Sequence, residues 1–239
     1  MTHEFCIISI DDTRELKKQN IRAALDWPEA KVESVNGKNP AQLKSAAEYW
    51  KNVETPGPFK AGEFGIFYSV LNCLEYGAAN NGILYFEDDA IVVDNFQSRL
   101  ESYLNDLPIN MDTFALWSPM NQHYDYENVS SYNNVGEPIY ERHKGSVFDY
   151  GHPELVRLWQ GYGNVAMYFS QKGCKNLLRY ISNKGFFSPI DCLICISVHS
   201  GYINGYSLKP GIPELINYDW NAPTTIHHSN WGMLEELIK

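Results

Sequence analysis

Residues Ile83-Leu84-Tyr85-Phe86 are apolar at every position and run straight into three acids, Glu87-Asp88-Asp89. A strand that is apolar on both faces must be covered on both, so this run belongs in the middle of a sheet flanked by helices. Ahead of it, Phe64, Phe67, Leu71, Leu74 and Ala78 recur at helical spacing and predict an amphipathic helix, which Asn80-Asn81-Gly82 stops.

The same alternation extends along the chain. Phe5-Cys6-Ile7-Ile8-Ser9-Ile10 reads as a strand running into Asp11-Asp12-Thr13, with Leu16, Ile21, Ala24 and Leu25 near helical spacing behind it. A second short strand is expected over residues 32–35, ending at Asn36-Gly37, a pair suited to positive φ. Further on come a helix over about 95–104, a buried strand over 114–117, a strand over 164–169, a helix over 171–181 and another after Pro189. Residues 119–151, rich in Asn, Tyr, Ser and Gly, show no clear period and are too long for a simple connection; such segments tend to be functional or mobile.

The expectation is an α/β fold, Rossmann-like, with a mostly parallel sheet flanked by helices. A single domain spans 1–239 in this reading, with a tail from about 221. Ligands of such sheets bind beyond the carboxyl ends of the strands, which is where Asp11, Asn36 and Glu87 to Asp89 fall.

Adjacent acids with no basic neighbour in sequence raise one another's pKa unless a cation or hydrogen-bond donors offset them. A hard divalent ion, Mn²⁺ or Mg²⁺, held by carboxylates together with a substrate phosphate, is one solution. An acidic turn that caps the next helix is the other, and spacing alone leaves both open.

Composition narrows the partners. A formal net charge of −10 repels polyanions and gives no support for nucleic acid or an anionic membrane surface. No run approaches the roughly 20 apolar residues of a membrane span, and the opening Met1-Thr2-His3-Glu4 lacks the basic start of a signal peptide. The reading is therefore a cytoplasmic protein. The five cysteines are odd in number, and Cys192-Leu193-Ile194-Cys195 has no second pair to complete a zinc site, so buried thiols are expected.

Gly62-Glu63-Phe64-Gly65, followed at the right distance by Ile83-Leu84-Tyr85-Phe86-Glu87-Asp88-Asp89-Ala90-Ile91, resembles the lipooligosaccharide glycosyltransferases of family 25, which have a GT-A type fold. Asp11-Asp12-Thr13-Arg14, the Val35-Asn36-Gly37 turn, residues 114–117 and Asn164-Val165-Ala166-Met167-Tyr168 look like that family's successive elements. The resemblance implies an inverting, metal-dependent transfer of a sugar from a nucleoside diphosphate sugar to a saccharide or other hydroxyl acceptor. It implies that Glu87 and Asp89 hold the ion, with Glu87 and Asp88 meeting the donor.

It further implies that Asp191, in Ser188-Pro189-Ile190-Asp191, faces the acceptor as catalytic base; a helix-opening acid near the macrodipole reads the same way. A late histidine often completes the metal shell in GT-A transferases, and His227 is chosen over its neighbour His228 as a ligand, surface histidines being the alternative. Ser9, Asp11, Arg14, Asn36 and Lys60 are donor-site candidates by their place at or near strand-end loops. Trp117, Tyr124, Tyr126, Trp159 and Tyr162 are candidates for stacking on sugar faces. Three other readings remain open: a modified DNA base as acceptor, a carbohydrate-binding relative without turnover, and a nucleotidyltransferase.

Overall fold

The computed structural model describes residues 3–9, 15–55, 59–117, 129–132, 138–140, 150–158, 165–209 and 211–218. In chain order the elements are β1 (Phe5–Ile8), α1 (Glu15–Ala24), α2 (Pro40–Tyr49), α3 (Ala61–Ala79), β2 (Ile83–Glu87), β3 (Ala90–Val92), α4 (Phe96–Asp106), β4 (Thr113–Ala115), β5 (Val129–Tyr132), β6 (Pro138–Tyr140), β7 (Leu155–Arg157), β8 (Ala166–Phe169), α5 (Gln171–Lys184), α6 (Ile190–His199), β9 (Gly205–Leu208) and β10 (Ile216–Tyr218).

The main sheet has the order β1-β2-β8-β4-β9-β7. β1, β2, β4 and β9 run the same way, while β8 and β7 run against them. The sheet is thus mostly parallel in strand direction, as expected, with antiparallel pairings wherever β8 or β7 takes part.

Strand alternation divides the core in two. Cys6, Ile8, Ile83, Tyr85 and Met167 pack toward α3, α5 and α6. Phe5, Ile7, Leu84, Phe86 and Phe114 pack on the opposite face with Ile21, Phe96 and Leu100 from α1 and α4. β2 is buried from Ile83 to Phe86, with its last residue, Glu87, half-buried, so the coverage inferred from its sequence is what the fold provides.

Several expectations change. α3 is more than amphipathic: Gly62, Tyr68, Ser69, Val70 and Cys73 are buried along with Phe64, Phe67, Leu71 and Leu74 of the anticipated stripe, while Ala78 is only partly buried, because the helix lies between the sheet, α2, α5 and α6. In α1 only Ile21 is buried, and Leu16 is 71% exposed. Residues 32–35 are extended but stand outside the sheet; the neighbour of β1 on that side is a single bridge from Phe5 to Glu29.

Gly37 explains how the 32–37 segment docks instead. A Cβ on Gly37 would collide with the carbonyl oxygen of Ala61, and one on Gly65 would lie 2.7 Å from both Gly37 N and Val35 O. Turn and helix therefore approach backbone to backbone, which only hydrogen side chains permit. Val35 N–H donates to Ser69 Oγ at 2.8 Å across the same contact.

α2 starts at a turn signal rather than a hydrophobic one: Asn39 Oδ1 accepts from the N–H groups of Ala41 and Gln42, with Pro40 in the first helical turn. The 119–151 segment contains an antiparallel ribbon of β5 and β6. The five cysteines are buried thiols outside any disulfide, as expected for packed thiols. No helix among the described residues is long and apolar enough to cross a membrane.

Candidate functional site

β1 and β2 end side by side, with Ile8 opposite Glu87, and the chain beyond each is pinned to its neighbours. Asp88 N–H donates to Ile8 O at 3.1 Å, and Glu87 N–H to Val165 O at 2.7 Å. Ser9 Oγ–H donates to Asp88 Oδ2 at 2.6 Å, while Ser9 N–H donates to Ser34 Oγ at 3.1 Å. Strand pairing thereby fixes a carboxylate at the sheet's edge, and a hydroxyl on the next strand orients it.

The three acids do not share one environment. Asp88 and Asp89 are 4% and 8% exposed, whereas Glu87 is half-buried. Period-two alternation carries Glu87 to the side of Ile83 and Tyr85, and Asp88 toward that of Ser9. Burying two adjacent carboxylates is costly unless charge or donors compensate.

Asp191 occupies the first turn of α6, half-buried, behind Pro189. Its position relative to the acids is visible through Tyr85, whose phenol is pushed well above its ordinary range first by burial and then by the charges of Glu87 and Asp191. Glu87 and Asp191 thus act on one buried ring from the same side of the sheet. The first-turn placement also suits the helix dipole, so the two readings of this residue are compatible.

The remaining candidates divide. Asn36 accepts from Lys38 N–H at 2.8 Å through its side chain, an Asx turn leading into α2. Lys60 is the N-cap of α3, and its N–H donates to Glu63 Oε2 at 2.6 Å. The Gly-Glu-x-Gly stretch is therefore explained as architecture: its glutamate closes a capping box, and its glycines admit the 35–37 turn. Trp117 is buried and stacks on Tyr218 at 5.2 Å, which makes it a core residue rather than an open sugar platform. Asp11, Arg14, Tyr124, Tyr126, Trp159, Tyr162, His227 and His228 lie outside the described residues.

Two features went unnoticed in the sequence. Ser34, between Glu33 and Val35 in a segment without regular secondary structure, is the anchor for Ser9. Beside this pair lies a cavity of about 560 Å³ bounded by Ser9, Ser34, Glu29, Lys18 and Arg22. Arg22 pairs with Glu29 at 2.6 Å and Glu15 at 2.7 Å, and Lys18 with Glu15 at 2.9 Å. The cations lining this cavity come from α1 and, with Lys31, from the segment before Ser34.

For a divalent ion, the buried Asp88 and Asp89 offer the hard oxygen donors that Mg²⁺ or Mn²⁺ takes. Among the described residues no three His, Cys, Asp or Glu side chains converge as a metal centre. Further ligands would come from substrate oxygens or the segment holding His227. β3 and β10 pair antiparallel with Tyr218 opposite Ala90, the residue that follows Asp89.

Comparison with known proteins places this arrangement. A procollagen lysyl hydroxylase and glycosyltransferase of Acanthamoeba polyphaga mimivirus is 29% identical over 96 residues, covering 35% of this chain and 11% of that protein. The chain thus spans about a tenth of that relative's length. Among solved structures, the WbbM bifunctional glycosyltransferase in its apo form aligns with TM-score 0.42 and 14% identity over 83% of this chain and 38% of that one. Mouse xyloside xylosyltransferase 1, also apo, aligns with TM-score 0.36 and 14% identity over 84% and 70%. The model of glycosyltransferase family 25 (LPS biosynthesis protein) matches residues 2–194, a stretch holding both glycine-paired helix and acidic strand end, and this chain belongs to that family of sugar-transferring enzymes.

Proposed function

We propose that the chain transfers a hexosyl or pentosyl unit from a nucleoside diphosphate sugar to an acceptor hydroxyl, with inversion at the anomeric carbon. The observation that carries this reading is the pair of buried carboxylates, Asp88 and Asp89, at the carboxyl end of β2, with Asp88 joined by a hydrogen bond to Ser9 on the wall of a cavity of about 560 Å³. The cavity is large enough for part of a nucleoside, and Ser9 and Ser34 supply hydroxyls at its rim.

In this reading Glu87 and Asp88 orient the donor, Asp88 through a carboxylate whose direction Ser9 sets. Asp89, with Glu87 and His227, would hold Mn²⁺ or Mg²⁺. When bound, the ion would offset the charge of the departing diphosphate. Asp191 takes the acceptor proton as the hydroxyl attacks, and general base assistance typically contributes about 10²–10⁴-fold. His227 lies nine residues past Tyr218, well within reach of Asp89 at roughly 3.3 Å per extended residue.

The family description points to a saccharide acceptor, and the name of the mimivirus relative to a hydroxyl on a protein. Both are attacks by an alcohol oxygen and need the same base. A DNA acceptor is disfavoured by the net charge of −10 and would show a steep salt dependence of binding.

The test is donor hydrolysis across a panel of nucleoside diphosphate sugars, with and without chelator. Release of a nucleoside diphosphate from one donor, abolished by chelator and restored by Mn²⁺, is the expected result. Release of pyrophosphate would identify a nucleotidyltransferase, and no turnover of any donor would favour a carbohydrate-binding relative. Full activity in chelator would remove the metal from the scheme. His227→Ala should weaken Mn²⁺ binding while His228→Ala leaves it unchanged.

A further inference from the structure

On the other side of the 31–35 segment from the Ser9 cavity, α2 and α3 enclose a groove of about 420 Å³. Its walls are aromatic and polar together. Tyr49 is 62% exposed, and its ring meets Trp50 edge to face at 5.2 Å and 82°, forming a corner of two rings. Both are fixed in place: Tyr49 OH donates to Glu75 at 2.8 Å, and Trp50 Nε1–H to Asn72 Oδ1 at 3.0 Å. Asn72 is itself tied to Glu33 O at 3.0 Å, so the corner is rigid before any ligand arrives.

We infer that this groove is a binding site for a neutral saccharide, distinct from the donor cavity. A pyranose has one apolar C–H face and a rim of hydroxyl donors. The rings offer the face a flat partner, and the exposed carboxylates of Glu33 and Glu75 offer acceptors to the rim. Charge selects against other ligands of this enzyme class: Glu33 and Glu75 outnumber Lys31 among the lining ionic side chains. A diphosphate or an acidic sugar placed here meets repulsion. Nothing in this assignment requires the β2 acids to be catalytic.

Trp50 is a built-in reporter, since its indole N–H sits on a defined hydrogen bond inside the groove. The experiment follows that resonance in ¹⁵N-labelled protein titrated with lactose, maltotriose and chitotriose, and with 3′-sialyllactose as the anionic counterpart of lactose. At least one neutral probe should shift it with millimolar affinity, the range of a small open site. Tyr49→Ala should weaken that binding about tenfold, the worth of one stacked ring. Sialyllactose should bind more weakly than lactose, and Glu75→Gln should narrow the gap.

No shift with any neutral probe at about 10 mM, unchanged affinity in Tyr49→Ala, or equal binding of sialyllactose would each overturn the assignment. Because Tyr49 is exposed, its loss leaves the core intact, and donor hydrolysis by Tyr49→Ala should match the parent. Donor turnover in the absence of any saccharide shift would defeat this inference alone, whereas saccharide binding without turnover would defeat the catalytic reading alone.

Discussion

Two strand ends of the same sheet carry buried aspartates, and they differ in what surrounds them. Asp112 precedes β4, at the amino end of the strands, and is 0% exposed. It accepts from Asn204 N–H at 2.8 Å and Asn176 Nδ2 at 3.2 Å, and lies 3.6 Å from Lys172 Nζ. Its own carbonyl accepts from Ser170 N–H at 3.0 Å and leaves no room for a Cβ on Gly173. Asp88 and Asp89 sit at the carboxyl end of β2, where the described partner of Asp88 is a serine beside an open cavity. Burial of an acid therefore does not by itself mark a site. Asp112 joins α5 to the turn before β9, while Asp88 is linked through Ser9 to a cavity at the carboxyl end of the strands.

This contrast can be broken by substitution. The largest effect is expected from Asp89→Asn, which on the proposed reading removes a full charge from the carboxylates that would hold the ion. Transfer should fall on the order of 10⁴-fold with the thermal midpoint nearly unchanged, read by steady-state kinetics and calorimetry. A large drop in stability instead would make Asp89 a second Asp112. Next is Asp191→Asn, which should lower transfer by about 10³-fold, the middle of the range for general base help. Donor affinity, measured by calorimetric titration, should hold; joint loss of affinity and transfer would move Asp191 into the donor site.

Asp112→Ala should act on the fold rather than the chemistry. It strands the Asn204 amide and the Asn176 side chain, so stability to urea should fall by about 3 kcal/mol, with kcat of the remaining folded protein near normal. A selective loss of kcat would erase the distinction between the two strand ends. The smallest effect belongs to Ser9→Ala. Asp88 loses an orienting hydroxyl but keeps its backbone anchor to Ile8, and transfer should decline about tenfold, with Ser9→Thr restoring most of it. Indifference to both changes would show that Asp88 needs no orientation from β1.

Much of the framework was legible because its signals are strong and local. The run Ile83-Leu84-Tyr85-Phe86 announced a covered strand, and the Pro189 and Gln171 helices formed where their patterns placed them. Residues 32–35 failed as a strand because the turn after them is drawn onto α3 by the Gly37 and Gly65 contact, which no periodicity encodes. β3, β9 and β10 are three or four residues long, too short for alternation to register. In the site, the acids were visible as a cluster, but their division was not. Ser34 and α1's Lys18 and Arg22 reach Ser9 only through tertiary packing, and their sequence neighbours gave no sign of it.

The pairing of Tyr218 with Ala90 also sets an order of events during synthesis. The acids emerge early, but the strand that closes the ribbon beside them is made more than half a chain later. At about 5–20 residues per second, that interval is on the order of ten seconds. Throughout it the nascent β3 lacks its β10 partner, so the ribbon that follows the acids is completed late, by a long-range closure of high contact order.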